Sequence, residues 1–367
     1  MSCSLPTDSM RILIIKLGSI GDIVHTLPAL AAIRHALPHA EISWAVETGA
    51  AEILRDNPFL DRLIEIDTKA LRRGLMSGET LRAPRQQLRL LRASAFDSAL
   101  DFQGLLKSAM VARLSGARRI YGFARNSLRE PASRLLLHQQ VNVPSRSHVI
   151  RKNLALVRGA FDIPVPEHES GFEFPIAIHQ IHEAEAASVV TETGDHFAVL
   201  NPAGGWPTKL WNAEKFGLLA DELWNHFRLP SVITYGPGEE ALANRAVNAS
   251  QTGKARAASL SLKGFFSLVR KARIFAGGDT GPTHLAVAAG TPVVGLFGPT
   301  EWWRNGSPYA QDICVERNDI GCRTDCHRRA CSQWICMDIE VQRVFQAVSE
   351  RLGNTSQLSP TELVSIG

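Results

Sequence analysis

The stretch RILIIKLGSIGDIVHTLPAL, residues 11–30, joins an aliphatic run to a helical pattern through two glycines, a serine and one aspartate. Residues 11–17 are aliphatic apart from Arg11 at the start and Lys16, the pattern of a strand buried on both faces. From Asp22 to Leu37 the apolar residues recur at helical spacing, and Pro28 predicts a kink or local break. Glycines let the backbone turn sharply and approach a ligand, and the amides of a helix start attract anions. Yet this turn is neither a P-loop, since no GKS or GKT follows, nor a GxGxxG fingerprint. Asp22, at the expected helix start, would repel a phosphate. It reads either as an N-cap or as a base facing an uncharged hydroxyl, and from this turn alone the cap is favoured.

Working outward, AEISWAVE (40–47), residues 62–67, FDSALDF (96–102) and RRIYGF (118–123) read as further strands, with helical stretches between them, among them 104–115. A short helix is expected in 51–58, ending before Pro58. Residues 163–180, with Pro164, Pro166 and Pro175, read as a connection, after which the pattern restarts at HFAVLNPAGG (196–205). A helix near 212–227, a strand in SVITYGP, a helix from Glu239, then RIFAGGD and GTPVVGLFGPT complete the series. Strands alternating with helices imply an α/β protein with two doubly wound parallel sheets. The expected division is a loose tail over 1–9, a first domain over 10–175, a second over 176–345, and a C-terminal helix and tail over 346–367. Two such halves facing each other would leave a cleft at the carboxyl ends of their strands.

Candidate residues concentrate at those strand ends. Residues 277–300, GGDTGPTHLAVAAGTPVVGLFGPT, hold Asp279, Thr280, Gly281 and His284, with Thr280 and the amides of 280–283 as a phosphate site. Singly, Asp279 also reads as a cap and His284 as a structural histidine. NPAGGWPTKLWNAEKF (201–216) offers Gly204 and Gly205 after a strand, then Lys209, either a solvated charge or a diphosphate clamp. In YGPGEE (235–240), Glu239 or Glu240 reads as a ribose ligand or as a helix-start carboxylate.

The 367-residue chain has a formal net charge of +4, which suits an anionic partner. Nucleic acid is disfavoured, because the basic stretch 69–95 contains no aromatic residue on which bases could stack. No apolar run is long enough to span a bilayer, and MSCSLPTDSM lacks the regions of a signal peptide, so a cytoplasmic protein is expected. Of six cysteines, Cys314, Cys322, Cys326, Cys331 and Cys336 crowd together, with His327 among them. Their spacings lie outside the tight CxxC knuckle, so they read as reduced structural thiols or as a structural zinc or iron site. Arg72, Arg73, Arg82, Arg85, Arg89 and Arg92, with Arg125, Arg129 and Arg134, read as a solvated basic face or as an anion-binding group.

Together, RILIIKLGSIGDIVHTLPAL, DFQGLLKSA (101–109), REPAS (129–133), NPAGGWPTKLWNAEKF and DTGPTHLAVAAGTPVVGLFGPT resemble the heptosyltransferases of glycosyltransferase family 9, the type I members most closely. The resemblance runs from about residue 10 to about residue 350. It implies a GT-B fold, two Rossmann-like domains across a cleft. It also implies inverting, metal-independent transfer of L-glycero-D-manno-heptose from ADP-heptose to Kdo of the lipopolysaccharide inner core, an acceptor of the Kdo2-lipid A type. Carried over by position, Asp22 matches the general base, and Ser19 lies in the same loop near the donor. Lys209 matches the diphosphate lysine, Asp279, Thr280, Gly281 and His284 the donor turn, and Glu239 or Glu240 the ribose carboxylate. Gly204 and Gly205 stand where type I members carry hydroxyl residues, so backbone amides would replace those contacts. Arg72, Arg73 and Arg129 are the arginines the family pattern supports for the acceptor. As a group these arginines would also hold the protein peripherally at the anionic inner membrane. Two other readings of the same fold are a family member with another sugar or acceptor, as in type II, and a nucleotide-sugar epimerase.

Overall fold

The computed structural model describes residues 10–67, 91–92, 94–144, 146–322, 326 and 330–356. It divides into two compact units, residues 1–177 and 178–367, so the chain passes from one to the other within the proline-bearing connection. The first unit contains β1 (Arg11–Ile15), β2 (Glu41–Glu47), β3 (Arg62–Ile66), β4 (Ser98–Asp101), β5 (Arg119–Phe123) and β6 (Gln139–Val141), in the order β3-β2-β1-β4-β5-β6. The second contains β7 (Ala198–Asn201), β8 (Ser231–Tyr235), β9 (Ala255–Ser259), β10 (Ile274–Gly278), β11 (Val293–Phe297) and β12 (Ile313–Glu316), in the order β12-β11-β10-β7-β8-β9. Every pairing in both sheets is parallel.

Traced from its own first strand, each sheet winds identically: two strands to one side, then a crossover and three to the other. The strand order therefore reverses between β1 and β4 in the first unit and between β7 and β10 in the second. Ligands of open parallel sheets bind at the carboxyl ends of strands flanking such a switch point. The two central strands are fully buried, which explains their unbroken aliphatic character: Ile12, Leu13, Ile14 and Ile15, and likewise Ala198, Val199 and Leu200, lie wholly inside.

Several sequence expectations shift in detail. The helical pattern over 22–37 is two helices, Ile20–Val24 and Leu27–Ala36, and the break falls at His25 and Thr26, ahead of Pro28. Pro28 sits in the first turn of the second helix, where a missing N–H costs nothing. The break is held by the buried Asn153, whose Nδ2 donates to His25 O at 2.9 Å and Thr26 Oγ1 at 3.1 Å. The short helix expected in 51–58 is a 3-10 turn, Thr48–Leu54. The edge strands β6, β9 and β12 and the helix Gln180–Thr193 carry too little apolar periodicity to have been read from the sequence. Among the described residues, no helix is long and apolar enough to cross a membrane.

Candidate active site

At the first switch point β1 delivers Lys16 and the glycine turn, and β4 delivers Asp101. The helix does not begin at Asp22: Ser19 is its N-cap, and Asp22 occupies the third helical position. From there Asp22 Oδ2 accepts the Ser19 amide at 3.3 Å, while Oδ1 lies 3.6 Å from Lys16 Nζ and 3.8 Å from Arg129 Nη2. Asp22 is therefore not the N-cap but the capping-box partner of Ser19, one oxygen bracing the turn and the other facing two cations. Ser19 is exposed on the same turn.

Lys16 is buried, and its ammonium donates to Phe102 O at 2.9 Å, which ties β1 to the end of β4. Burial pulls its pKa below the usual lysine range, and the Asp22 charge opposes that shift. Asp101 accepts from Gln103 N at 2.9 Å, Gly104 N at 3.2 Å and Ser108 Oγ at 3.0 Å. Burial nevertheless outweighs these bonds and pushes its pKa up to about 6. Gly104 permits the turn that brings those amides round, with φ of +68°. Neither Lys16 nor Asp101 stood out as functional in the sequence. The available signal was a lysine interrupting an aliphatic run and an acid closing a strand beside the switch point.

At the second switch point Lys209 and Asp279 meet. Lys209 is not the solvated charge its loop suggested: Nζ donates to Asp279 Oδ2 at 2.6 Å and to Asp279 O at 3.0 Å. The same ammonium lies 3.9 Å from the centre of the Trp206 ring, a cation–π contact. This approach needs Gly278, where a Cβ would lie 3.2 Å from Lys209 O. Buried His284 places Nε2 3.2 Å from Asp279 Oδ1, so it reaches the site through the aspartate. Burial alone would raise the Asp279 pKa. The His284 hydrogen bond and the Lys209 charge reverse that and hold it well below the usual carboxylate range.

Thr280 caps the helix Gly281–Ala288, and among the described residues its buried hydroxyl has no hydrogen-bond partner. That leaves a donor at a helix start suited to an anion. Pro282 contributes no N–H, so the amides expected from 280–283 reduce to those of Thr280, Gly281 and Thr283. Gly204 is half-buried and Gly205 exposed in the loop after β7. Glu239 is committed to its own turn, accepting the Gly236 amide at 2.8 Å, whereas Glu240 is exposed at the first position of the helix Glu240–Ala249.

The cysteine-rich segment braces this site. Trp334 Nε1 donates to Thr208 O at 3.1 Å, beside Lys209, and the Trp334 amide donates to Cys331 Sγ at 3.4 Å. Burial raises the Cys336 thiol pKa, and the neighbouring Cys326, Cys322 and Cys331 add to the shift. Cys314, on β12, donates from Sγ to Glu316 Oε2 at 3.4 Å. Among the described residues, no three His, Cys, Asp or Glu side chains converge as a metal site, and His327 lies outside them. The zinc or iron reading therefore finds no ligand set there.

Of the basic residues, Arg129 is brought to Asp22. Arg92 is exposed but donates from Nε to Leu114 O at 3.1 Å, a bond that belongs to the fold. Arg125 is exposed and Arg134 half-buried. Arg72, Arg73, Arg82, Arg85 and Arg89 lie outside the described residues.

Comparison with known proteins bears on this arrangement. The profile of "Glycosyltransferase family 9 (heptosyltransferase)" matches residues 85–334. The chain is 31% identical over 329 residues to lipopolysaccharide heptosyltransferase 1 of Pseudomonas aeruginosa, covering 88% of each protein. It is 29% identical over 299 residues to the Escherichia coli K12 protein of the same name, covering 80% of this chain and 89% of that one. Among solved structures, E. coli heptosyltransferase WaaC with ADP-2-deoxy-2-fluoro heptose superposes with a TM-score of 0.74 at 24% identity, over 93% of this chain and 99% of that one. A family 9 glycosyl transferase from Veillonella parvula gives 0.78 at 20%, over 95% and 99%. The fold is that of these enzymes, the α/β GT-B class with two Rossmann-like domains.

Proposed function

The chain belongs to glycosyltransferase family 9, and on that premise we propose that it transfers L-glycero-D-manno-heptose from ADP-heptose to a Kdo residue of the lipopolysaccharide inner core. The observation that carries this reading is the Asp22 carboxylate, with one oxygen holding the turn and the other set between Lys16 and Arg129. Two adjacent positive charges favour its ionised form. As the acceptor hydroxyl attacks the anomeric carbon, Asp22 takes its proton, the bond to the diphosphate breaks, and configuration inverts. ADP is a good leaving group and needs no acid, so one carboxylate suffices where a glycosidase pairs two.

The donor falls to the second unit. The Thr280 hydroxyl, the amides at the start of Gly281–Ala288 and the Lys209 ammonium meet the charge that grows on the diphosphate, without a metal. Asp279 and His284 hold Lys209 and the turn in place, and backbone at Gly204 and Gly205 approaches the donor. Ser19 lies beside the transferred sugar. Exposed Glu240 is better suited to the ribose hydroxyls than Glu239, whose carboxylate already closes a turn. Arg129, with Arg72 and Arg73, binds acceptor carboxylates and phosphates, and the protein works at the anionic inner-membrane surface.

The deciding assay is ADP release from ADP-heptose with and without Kdo2-lipid A. Release that requires the acceptor, with heptosylated product, is expected. Free sugar formed without acceptor would favour epimerase-type chemistry instead. Turnover with another sugar nucleotide or acceptor only would reassign the substrate within the family.

A further inference from the structure

The helix Leu106–Leu114 carries most of its large apolar residues on the outside. Its buried face is made of small residues, Ser108, Ala109 and Ala112, all fully covered. Val111 packs on the core, but the longer apolar side chains face solvent: Leu106 is 42% exposed, Met110 53% and Leu114 37%. Spaced at i, i+4 and i+8, they form one stripe along a helix that ordinarily would turn them inward. The 3-10 turn Pro131–Leu136 packs on this helix and adds Leu135, 78% exposed. Exposed Lys107 and Arg113 flank the stripe, Lys107 in an ion pair with Glu47 at 2.8 Å. Between residues 104 and 146 the sequence carries eight lysines and arginines against one acid, Glu130.

We infer that this face is where the protein docks on an anionic phospholipid bilayer, with Leu106, Met110, Leu114 and Leu135 entering the interface and the surrounding cations meeting the headgroups. An apolar stripe with a basic flank is the composition that lies in a membrane interface, and contiguous exposed apolar groups mark an interaction surface. At about 1.5 Å per residue a nine-residue helix is too short to span, so it lies flat. A second copy of the chain is the poorer occupant, because a two-fold contact through this face would set its excess cations against their own copies. The face is also tied to the candidate base. The Leu106 amide donates to Glu130 Oε2 at 2.7 Å, and the preceding residue, Arg129, is the one beside Asp22.

The inference deepens the membrane association proposed above and rests on it. Its test is co-sedimentation of the full chain with phosphatidylcholine vesicles, with and without phosphatidylglycerol. Binding should require phosphatidylglycerol and weaken with salt. The L106Q/M110Q/L114Q variant should lose about tenfold or more in partitioning. Met110→Gln and Leu135→Gln, at the most exposed positions and so without risk to folding, should each lose about threefold. Equal binding by these variants and the wild type, or equal binding to neutral vesicles, overturns the assignment. A wild-type dimer that becomes monomeric in the triple variant overturns it in favour of a second copy. ADP release with a deacylated, water-soluble Kdo acceptor separates the two readings. Its failure in the wild type sinks the heptosyl-transfer proposal and leaves the vesicle result standing, whereas lost docking with intact turnover sinks only the docking face.

Discussion

The two switch points are built on one plan and finished differently. Each sets a buried lysine, Lys16 directly after β1 and Lys209 in the loop after β7, against an aspartate near a helix start. In the second unit that pair is closed: Lys209 and Asp279 stand 2.6 Å apart, with side chains 10% and 6% exposed, and His284 seals the far side. In the first unit the Lys16–Asp22 distance is 3.6 Å, Asp22 is 17% exposed, and Arg129 remains 3.8 Å away. A tight buried pair fixes geometry but leaves its carboxylate little capacity to accept a proton. A looser one leaves its carboxylate partly open to water. Asp279 is thus the more enclosed carboxylate and Asp22 the more open one, the difference that the proposed role of Asp22 as base requires, although both are aspartates in glycine-bearing turns.

The largest expected effect breaks the closed pair. Asp279→Ala strands the Lys209 ammonium in a buried site and should cost about 3–5 kcal/mol in urea unfolding, against about 1–2 for Asp22→Ala, which loses a helix-start bond and a longer ion pair. Similar losses in both variants would erase the distinction. Next, Asp22→Asn should reduce kcat at least about a hundredfold while leaving ADP affinity unchanged. Retained turnover would return Asp22 to a purely capping role. Lys209→Ala should weaken ADP binding by roughly 1.5–3 kcal/mol, the worth of a charge-assisted contact. Calorimetry that finds wild-type affinity in a folded variant would confine Lys209 to holding Asp279. The smallest effect sharpens the open site: Arg129→Gln should raise the acceptor KM about threefold, leave the ADP-heptose KM alone, and flatten the rise of acceptor KM with ionic strength. Equal damage to both substrates would remove Arg129 from acceptor recognition.

The sequence alone determined the architecture and the positions of both turns. Aliphatic runs such as Arg11–Leu17 have no other stable home than a strand covered on both faces, and glycine-bearing joints at their ends mark ligand-facing turns. Short edge strands escaped, because Ala255–Ser259 and Gln139–Val141 are made by pairing rather than by apolar pattern. What the tertiary structure decided was which charged groups meet. Lys209 and Asp279 are separated by 69 intervening residues, and Arg129 and Asp22 by 106, so no local spacing could pair them. The tertiary structure also separated Asp22 from Asp279, since a carboxylate's freedom to take a proton depends on how many cations and donors surround it and how much water reaches it. Those quantities come into being only when distant strand ends are brought to one side of a sheet.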